Sequence, residues 1–537
     1  MLYILIYLAA SEFKLKQTIW PEKDLNSNNY FGNAVAMSEQ YVVICAEFSI
    51  VPGVSHPSKN YTGSCYIYEY DPTTDQYKAV IGNMKDNHRL QPNVSNENFM
   101  PGYFGSDVFI SSDPPRILVG APYTYVNHDL LKDVPVFNTS LQKNWTDEEK
   151  FYTVERNGKN ITYNVEIGAL YVYTHNKTTG MWDETTVSVP NKVMYLGGYG
   201  RVVGASKGMN KFAGAYYNKL RIGSKIPPTL GIVFVSFFDV DDVKMYDPIE
   251  PFDGLDDYNT QRFGVQVKFS GQDQLYIVVL DQSNKSKNSH AGTYKYKLVD
   301  GKWIKEKQVQ FKGSSGYKVY ATSIGVKTDT DQNTIIVMSA TKDDGTNYIV
   351  LVNSDSTADQ EPQQIIETGN DSPSYFEFCG DWLAVMLPSS VQIYKINESK
   401  QYSLFQTITD PKTWNDEYPE NLKYEDLQVT FPGQFSWEPN KCNKCVIGAQ
   451  SGFKGGLDRE SSPFGRAYVF ESSDNSGGGN PGGGNQGVGD DEKNGGPKDI
   501  PLIVGTTVAA VVVAIIVIVV VIVVVRNRNK DQSISEK

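Results

Sequence analysis

One short segment of the sequence has the residue types of a catalytic turn. Gly204-Ala205-Ser206-Lys207-Gly208 matches the pattern G-x-S-x-G, which exposes a nucleophilic serine in serine hydrolases. That turn needs a strand before it, a helix after it, and an acid and a histidine as partners. No helix is predicted after Gly208, and of the 5 histidines only His290 follows a candidate acid that comes after Ser206. We therefore expect no hydrolase triad and no enzymatic activity.

A second segment has the oxygen donors of a calcium loop. Asp329, Asp331 and Asn333 place three oxygen ligands at alternate positions, a spacing that hard cations accept. The segment lacks the glycine and the final carboxylate of a complete loop. A polar hairpin turn is the alternative interpretation. The sequence therefore predicts no required cofactor, and Ca²⁺ at these three residues is the metal hypothesis.

The 5 cysteines suggest a disulfide-bonded protein of an oxidising compartment. Cys45 and Cys65 lie on neighbouring predicted strands, where a disulfide is feasible. Cys442 and Cys445 form a single C-x-x-C pair, which without a second pair favours a small-loop disulfide over zinc. Cys379 is left over.

The elements that would position these residues are short apolar strands that recur along the chain. Each unit has an apolar run and then a second apolar run, which in the second unit alternates in the period of a strand, and the first five units open on an aromatic residue with a glycine. In the second unit these parts are Tyr103-Phe104-Gly105, Ile117–Pro122 and Gly168–Tyr173. Seven units are recognised, and their central runs start near residues 41, 117, 212, 275, 334, 382 and 445.

The spacing of these units predicts the fold class. An irregular period of roughly 65 residues is too long for the short solenoid repeats and suits four-stranded sheets with loop insertions. Such sheets cannot bury both faces alone, whereas radial packing buries them. We predict an all-β fold, a seven-bladed β-propeller over residues 21–471, with a row of β-sandwich domains as the alternative.

The order of the motifs resembles a known repeat. Phe104-Gly105, a strand that ends in Gly120-Ala121-Pro122, and Gly168 followed by Tyr171-Val172-Tyr173 are similar to the FG-GAP repeat of integrin α-subunit propellers. The resemblance implies a propeller that binds an extracellular ligand or partner protein at one face. The leg domains and the Gly-Phe-Phe-Lys-Arg motif of integrin α-subunits are missing, so a heterodimer partner is not expected.

The same resemblance indicates where a ligand would bind. In integrin-type propellers the loops between the second and third strands of a blade take the ligand. The longest such loop here is 123–167, which carries the aromatic residues typical of recognition surfaces. Tyr123, Tyr125 and Trp145 are the predicted contact residues. A glycosylated insertion without a partner is the alternative.

One further turn resembles part of an enzyme family. Thr341–Tyr348 is similar to the Asp-box turn of sialidases, which are also propellers. An ordinary Asp-Gly hairpin explains the same residues. A glycosidase would also need two carboxylates about 5–10 Å apart, and their separation depends on the fold.

The termini predict a membrane-anchored protein. Residues 1–11 have the apolar and small residues of a secretory signal peptide. Residues 472–501 form a predicted flexible stalk rich in glycine and asparagine, and 502–525 form an uncharged apolar run long enough to cross a bilayer. The basic residues in 526–537 predict a cytosolic tail. We expect a single-pass type I protein of the plasma membrane with its N-terminus outside.

Glycosylation and charge agree with this topology. The net charge of −12 makes a nucleic-acid binder improbable. Our functional expectation is a cell-surface glycoprotein of adhesion or recognition. The alternatives are a membrane-anchored glycan-processing hydrolase on a propeller scaffold, or a structural surface-coat glycoprotein. The Asn-x-Ser/Thr sequons are Asn60, Asn93, Asn138, Asn144, Asn160, Asn176, Asn284, Asn370 and Asn397.

Overall fold

The part of the protein that the computed structural model describes consists of short antiparallel strands with almost no helix. All of it belongs to the unit Met1–Pro481. Within it, no helix is long and apolar enough to span a membrane. The predicted signal peptide (1–11), span (502–525) and tail (526–537) lie outside it, as does the predicted stalk (472–501) except for Ser472, which ends a strand. The described residues are 12–21, 30–49, 62–83, 88–93, 95–136, 150–156, 158–193, 198–216, 231–239, 242–252, 261–281, 291–318, 323–328, 333–342, 344–413, 427–453 and 465–472.

The first half of the described chain forms four sheets of one plan. In each, the strands lie side by side in chain order, with antiparallel pairing. A separate N-terminal strand, β1 (Phe13–Ile19), precedes them. Sheet 1 contains β2 (Val35–Met37), β3 (Tyr41–Ala46), β4 (Ser64–Asp71) and β5 (Gln76–Ala79), with β6 (Arg89–Leu90) paired to β4.

The next strands divide between sheet 2 and an insertion. The inserted sheet contains β7 (Phe99–Met100), β10 (Tyr125–Asn127), β11 (Phe151–Arg156) and β12 (Lys159–Asn164), with the short helix α1 (His128–Leu131) beside it. Sheet 2 contains β8 (Val108–Ser112), β9 (Pro115–Ala121), β13 (Ala169–His175) and β14 (Trp182–Ser188).

Two four-stranded sheets follow sheet 2. Sheet 3 contains β15 (Val202–Ala205), β16 (Lys211–Tyr216), β17 (Ile232–Asp239) and β18 (Asp242–Met245). Sheet 4 contains β19 (Gln261–Ser270), β20 (Gln274–Asp281), β21 (Gly292–Val299) and β22 (Lys302–Val309). Short 3-10 turns occupy Lys207–Met209 and Ser314–Gly316.

Sheets 5 and 7 contain five strands each, and sheet 6 contains four. Sheet 5 contains β23 (Tyr317–Lys318) and β24 (Ile324–Thr328), which both pair with β25 (Thr334–Lys342), then β26 (Asn347–Asn353) and β27 (Gln364–Gly369). Sheet 6 contains β28 (Tyr375–Cys379), β29 (Trp382–Leu387), β30 (Ser390–Ile396) and β31 (Tyr402–Thr409). Sheet 7 contains β32 (Leu427–Thr430), β33 (Phe435–Trp437), β34 (Lys444–Phe453), β35 (Arg466–Ser472) and β1.

Neighbouring sheets touch through their first strands. The first strands of sheets 1 to 6 and β33 of sheet 7 contact one another in chain order, and β33 in turn contacts β2. The contacts therefore close on themselves within the described residues. Radially packed four-stranded sheets of this kind are consistent with a β-propeller.

The hydrophobic core lies between these sheets. Along β3 every residue is buried, and alternate side chains enter different clusters. Val43 packs with sheet 2 and Val42 packs with sheet 7. Because successive side chains of a strand point to opposite faces, a strand covered on both sides is apolar throughout. This arrangement explains the continuous apolar runs in the sequence, which coincide with the second strand of each of the sheets numbered here.

The glycine of the aromatic-glycine motif allows one sheet to approach the next. Gly105 has a φ of +92°, and a Cβ atom there would lie 2.8 Å from the Cβ atom of Cys45 in sheet 1. A larger residue would push sheet 2 away from sheet 1, and it would also strain the backbone.

Two boundaries differ from the prediction. The propeller-like region was expected to begin at residue 21, but β1 (Phe13–Ile19) already belongs to sheet 7 through its pairing with β35. The long loop 123–167 was expected to be a free recognition loop. Its described residues instead supply β10, β11, β12 and α1, and a small core forms around Val126 and Tyr163.

Candidate functional site

Polar side chains converge where the first strands of the sheets meet. Asp107 precedes β8, Lys268 lies on β19, and Gln434 precedes β33. Tyr375 and Glu377 are two residues apart on β28, so they project to the same face of that strand. All five side chains are half-buried. We call these five residues the axial cluster.

One half of the axial cluster joins four sheets. The Nε2 of Gln434 donates to Oδ1 of Asp107 at 2.9 Å. The backbone N–H of Val203 donates to the other carboxylate oxygen at 2.8 Å, and the N–H of Val35 donates to Oε1 of Gln434 at 2.7 Å. Burial raises the pKa of Asp107, although hydrogen bonds from Val203 and Gln434 oppose that shift. These bonds hold the carboxylate in a fixed position.

The other half is a lysine–tyrosine–glutamate chain. The Nζ of Lys268 donates to Oη of Tyr375 at 3.2 Å, and Oη of Tyr375 donates to Oε2 of Glu377 at 3.2 Å. The backbone N–H of Trp437 donates to Oε1 of Glu377 at 3.3 Å. The chain connects sheets 4, 6 and 7.

Burial gives Glu377 a protonation equilibrium near neutral pH. It raises the pKa of Glu377 from 4.5 to about 7, and the charge of Lys268 is the largest opposing effect. The same lysine charge also opposes the rise that burial causes in the pKa of Asp107. The Lys268 ammonium therefore acts on both carboxyl groups. A carboxyl that both holds and releases a proton near pH 7 is suited to general acid–base catalysis.

A row of aromatic rings lies in the segments that flank the first two strands of sheets 1 and 2. The ring of Tyr30 lies 4.5 Å from that of Phe48, Phe48 lies 5.0 Å from Tyr103, and Tyr103 lies 4.5 Å from Tyr123, measured between ring centroids. The guanidinium of Arg201 donates to Oη of Tyr123 at 2.8 Å. We call these five residues the rim row.

The predicted ligand contacts have different positions in the structure. Tyr123 belongs to the rim row and is half-buried. Tyr125 is wrong as a contact residue, because it is 5% exposed and packs against Tyr152 in the inserted sheet. Trp145 lies outside the described residues. The prediction treated 123–167 as a surface loop, whereas the hydrophobic residues of its described part form small cores in the inserted sheet.

The predicted calcium site falls mostly outside the described part of the chain. Asn333 is described and precedes β25, whereas Asp329 and Asp331 are not described. Among the described residues, no three His, Cys, Asp or Glu side chains are grouped to hold a metal ion. The calcium hypothesis stays a prediction.

The cysteine pairing was predicted in part. Cys45 and Cys65 form a disulfide between β3 and β4. The predicted pair of Cys442 with Cys445 was wrong: Cys442 is bonded to Cys379 on β28, and Cys445 is a buried free thiol. The Cys445 side chain packs between Trp437 and Phe470 on the neighbouring strands, where its partners in register lie. The pairing of Cys379 with Cys442 spans 63 residues, so sequence proximity misled the prediction.

The two enzyme-like segments are ordinary turns. Ser206 is buried and caps the turn between β15 and β16, where its hydroxyl bonds to the backbone of Lys211. A 3-10 turn and a strand follow it instead of a helix. In Thr341–Tyr348, the N–H of Thr346 bonds to Oδ1 of Asp344 at 2.9 Å within the hairpin of β25 and β26.

The described sequons are accessible for modification. Asn93, Asn160, Asn370 and Asn397 are exposed, and Asn176 is half-buried in the turn between β13 and β14. The remaining sequons lie outside the described residues: Asn60, Asn138, Asn144 and Asn284.

Sequence analysis did not single out the axial cluster. A signal was present, because polar residues follow the glycine of several aromatic-glycine motifs, for example Asn33 after Gly32 and Asp107 two residues after Gly105. Glu377 and Lys268 had no such marker, because they meet only when sheets 4 and 6 are placed around a common axis.

Comparisons with known proteins give structural but not sequence matches. No protein-family model matches the chain, and no curated protein matches it. A candidate 6-phosphogluconolactonase from Bacteroides uniformis matches 74% of this chain and 88% of its own, with 11% identity and a TM-score of 0.39. An oligogalacturonate lyase in complex with manganese matches 86% of this chain and 97% of its own, with 8% identity and a TM-score of 0.42. Sqt1 of Saccharomyces cerevisiae matches 86% and 99%, with 9% identity and a TM-score of 0.36.

These matches correct one expectation. The sequence predicted no enzymatic activity, yet two of the matched proteins are named as enzymes. The prediction was wrong in its reasoning as well, because a missing serine triad excludes only one class of mechanism. The matches leave the substrate and reaction of this chain to be argued from its own residues. The FG-GAP resemblance stays a prediction.

Proposed function

We propose that this protein is a glycan-processing hydrolase whose reaction takes place at the axial cluster of a seven-bladed propeller. The observation that carries the proposal is Glu377, a half-buried carboxyl with a pKa of about 7, placed with Lys268 and Asp107 where the sheets converge. Hydrolysis of a glycosidic bond uses two carboxyl groups, of which one must be protonated to act as the acid.

The seven-bladed scaffold is supported by the closed series of contacts between first strands. It is also supported by the position of the core, since a buried cluster separates each of sheets 1 to 7 from the next. The pairing of β1 with β35 joins the two ends of the described chain within sheet 7.

The residues of the axial cluster take distinct roles. Glu377 donates its proton to the glycosidic oxygen as the bond to the anomeric carbon breaks; the oxygen of a water molecule then bonds to the anomeric carbon, and that water returns a proton to Glu377. Asp107 is the second carboxyl and stabilises the positive charge that develops on the sugar ring. Lys268 donates a hydrogen bond to the Tyr375 oxygen, so the hydroxyl proton of Tyr375 stays directed at Glu377.

The proposal is tested with the full-length chain and chromogenic aryl glycosides of the common hexoses, N-acetylhexosamines, uronic acids and sialic acid. We expect release of the aryl group from at least one of them, and a loss of about 100-fold or more in kcat for Glu377→Gln. Glu184→Gln is the matched control, because Glu184 is a half-buried carboxyl with a raised pKa on β14, the outermost strand of sheet 2. No release from any substrate, or equal losses in both variants, would contradict the proposal.

We also propose that the protein acts at the plasma membrane on an extracellular glycan. The exposed sequons among the described residues support an extracellular position for the sheets. The apolar run 502–525 is the proposed anchor, and 526–537 is the proposed cytosolic tail.

A further inference from the structure

The rim row bridges three sheets without taking part in their buried cores. Tyr30 and Phe48 belong to the segments before and after the first two strands of sheet 1, Tyr103 and Tyr123 flank the equivalent strands of sheet 2, and Arg201 precedes β15. Each of the four rings is half-buried. None is a member of the buried clusters that separate the sheets. The rings therefore form a continuous apolar surface at one end of the sheets.

The backbone at two of these rings is strained. Tyr30 has a φ of 66° and Tyr103 has a φ of 57°, values in the left-handed region that disfavour side chains with a Cβ atom. The same turn recurs before sheet 3, where Gly198 occupies the equivalent position with a φ of 74°. Glycine adopts this conformation without strain. The turn itself therefore does not require tyrosine at these two positions. We attribute the two tyrosines to a role of their side chains outside the turn.

Charged and hydroxyl groups flank the rings. Arg201 lies 5.5 Å from the centroid of the Tyr123 ring and donates to its hydroxyl. Glu47, next to Phe48 in the chain, interacts with the charge of Arg201 and with the Ser106 hydroxyl. A pyranose ring has an apolar C–H face and an edge of hydroxyl groups. Ring faces beside such hydrogen-bonding groups match both parts of it.

The rim row and the axial cluster are joined by one short segment. Tyr103 and Asp107 are four residues apart, so their Cα atoms are separated by at most about 14 Å. Ser106, which contacts Glu47, immediately precedes Asp107. An oligosaccharide with one sugar on the rings thus has its next units within reach of Asp107.

We propose that the rim row is a sugar-binding subsite that holds an oligosaccharide by stacking against Tyr30, Phe48, Tyr103 and Tyr123. The inference rests on the proposed function for the direction of the sugar chain toward the axial cluster. The stacking itself is a property of the rim row alone.

The test measures binding and stability separately in the full-length chain. Glu377→Gln serves as the background, so that bound sugars are not consumed. Binding of cellotetraose, chitotetraose and 3′-sialyllactose is measured by calorimetry and by saturation-transfer NMR. We expect at least one of the three to bind, and Tyr103→Gly and Tyr30→Gly each to weaken its binding by tenfold or more. Because glycine relieves the left-handed strain, the melting temperature is expected to stay level or rise.

Tyr70→Ala is the control, since Tyr70 is a half-buried ring at the outer end of β4 that contacts Tyr77 and Lys444 and donates to Asp75. It should leave the affinity unchanged. If the glycine variants lower the melting temperature and keep the affinity, or if none of the three sugars binds, the subsite is refuted. Tyrosine-dependent binding without hydrolysis by the wild-type chain would refute the proposed function and leave the subsite standing.

Discussion

At the scale of single residues, the axial cluster depends on a balance between burial and one positive charge. Removing a carboxylate from water costs more than a single hydrogen bond returns, so a buried carboxyl keeps its proton to a higher pH. Lys268 opposes this effect at Glu377 but does not cancel it, and the pKa is about 7. Asp107 experiences the same lysine together with hydrogen bonds from two neighbouring sheets.

The raised pKa of Glu377 predicts a pH-dependent stability. Between pH 4.5 and about 7 the native carboxyl holds a proton that the unfolded chain has released. The unfolded state then binds fewer protons, so the free energy of unfolding falls as pH rises through this window. On going from pH 5 to pH 8, we expect the free energy of unfolding of Glu377→Gln to rise by about 1–3 kcal/mol relative to that of the wild type.

Urea unfolding at the two pH values, followed by tryptophan fluorescence, measures this difference. Glu398→Gln, at an exposed position after β30, should follow the wild type at both pH values. An unchanged difference between wild type and Glu377→Gln across the window would show that Glu377 titrates as an ordinary surface carboxyl.

At the scale of elements, β1 forms the edge strand of sheet 7 next to β35. It pairs with β35 from Phe13 to Ile19, with Phe13 buried against Trp382 and Trp437. Without β1, β35 would be an edge strand with free N–H and C=O groups, and edge strands of this kind promote association. The predicted signal peptide ends at residue 11, so its removal would leave β1 intact.

Deletion of residues up to Trp20 is therefore expected to destabilise the protein far more than its length suggests. The loss includes the hydrogen bonds to β35 and the burial of Phe13 and Ile19, each worth about 1.5–3 kcal/mol as an apolar side chain. We expect a fall of several degrees in melting temperature and a shift to larger species in size-exclusion chromatography. A deletion that ends before Glu12 is the control. A truncated chain that stays monomeric and as stable as the control would contradict the closing role of β1.

The elements also show the limit of local patterns. Each central apolar run was located from the sequence, because a strand buried on both faces is uniformly apolar. The inserted sheet was not located, since its strands are short and its partners β7 and β10 are separated from β11 and β12 by residues with no clear periodicity. β1 was missed for a related reason: its partner β35 lies at the other end of the described chain.

At the scale of the whole molecule, convergence of the sheets creates a site that no single sheet contains. Asp107 is held by sheets 2, 3 and 7, and Glu377 is held by sheets 4, 6 and 7. Such a site is rigid because most of its hydrogen bonds join two sheets. A change at one contact therefore affects the position of several side chains of the axial cluster.

The proposed topology gives a whole-molecule prediction. In intact cells that express the full chain with a tag after Lys537, an antibody to the tag should bind only after permeabilisation, because the tail is proposed to be cytosolic. Peptide N-glycosidase treatment of the extracted protein should lower its mass, and Asn397→Gln should lower the starting mass by one glycan.

Ser403→Ala, which leaves the sequons unchanged, is the control for mobility on the gel. Labelling of the tag on unpermeabilised cells would place the tail outside and overturn the topology.

The sequence by itself determined the strand-rich character, the repeated apolar runs and the turns with glycine, because these depend on side-chain patterning and local backbone preference. The tertiary structure alone decided the pairing of Cys379 with Cys442, the burial of Tyr125, and the meeting of Lys268 with Tyr375 and Glu377. These features join residues tens to hundreds of positions apart. Their positions follow from how the sheets pack around one axis, which no local pattern records.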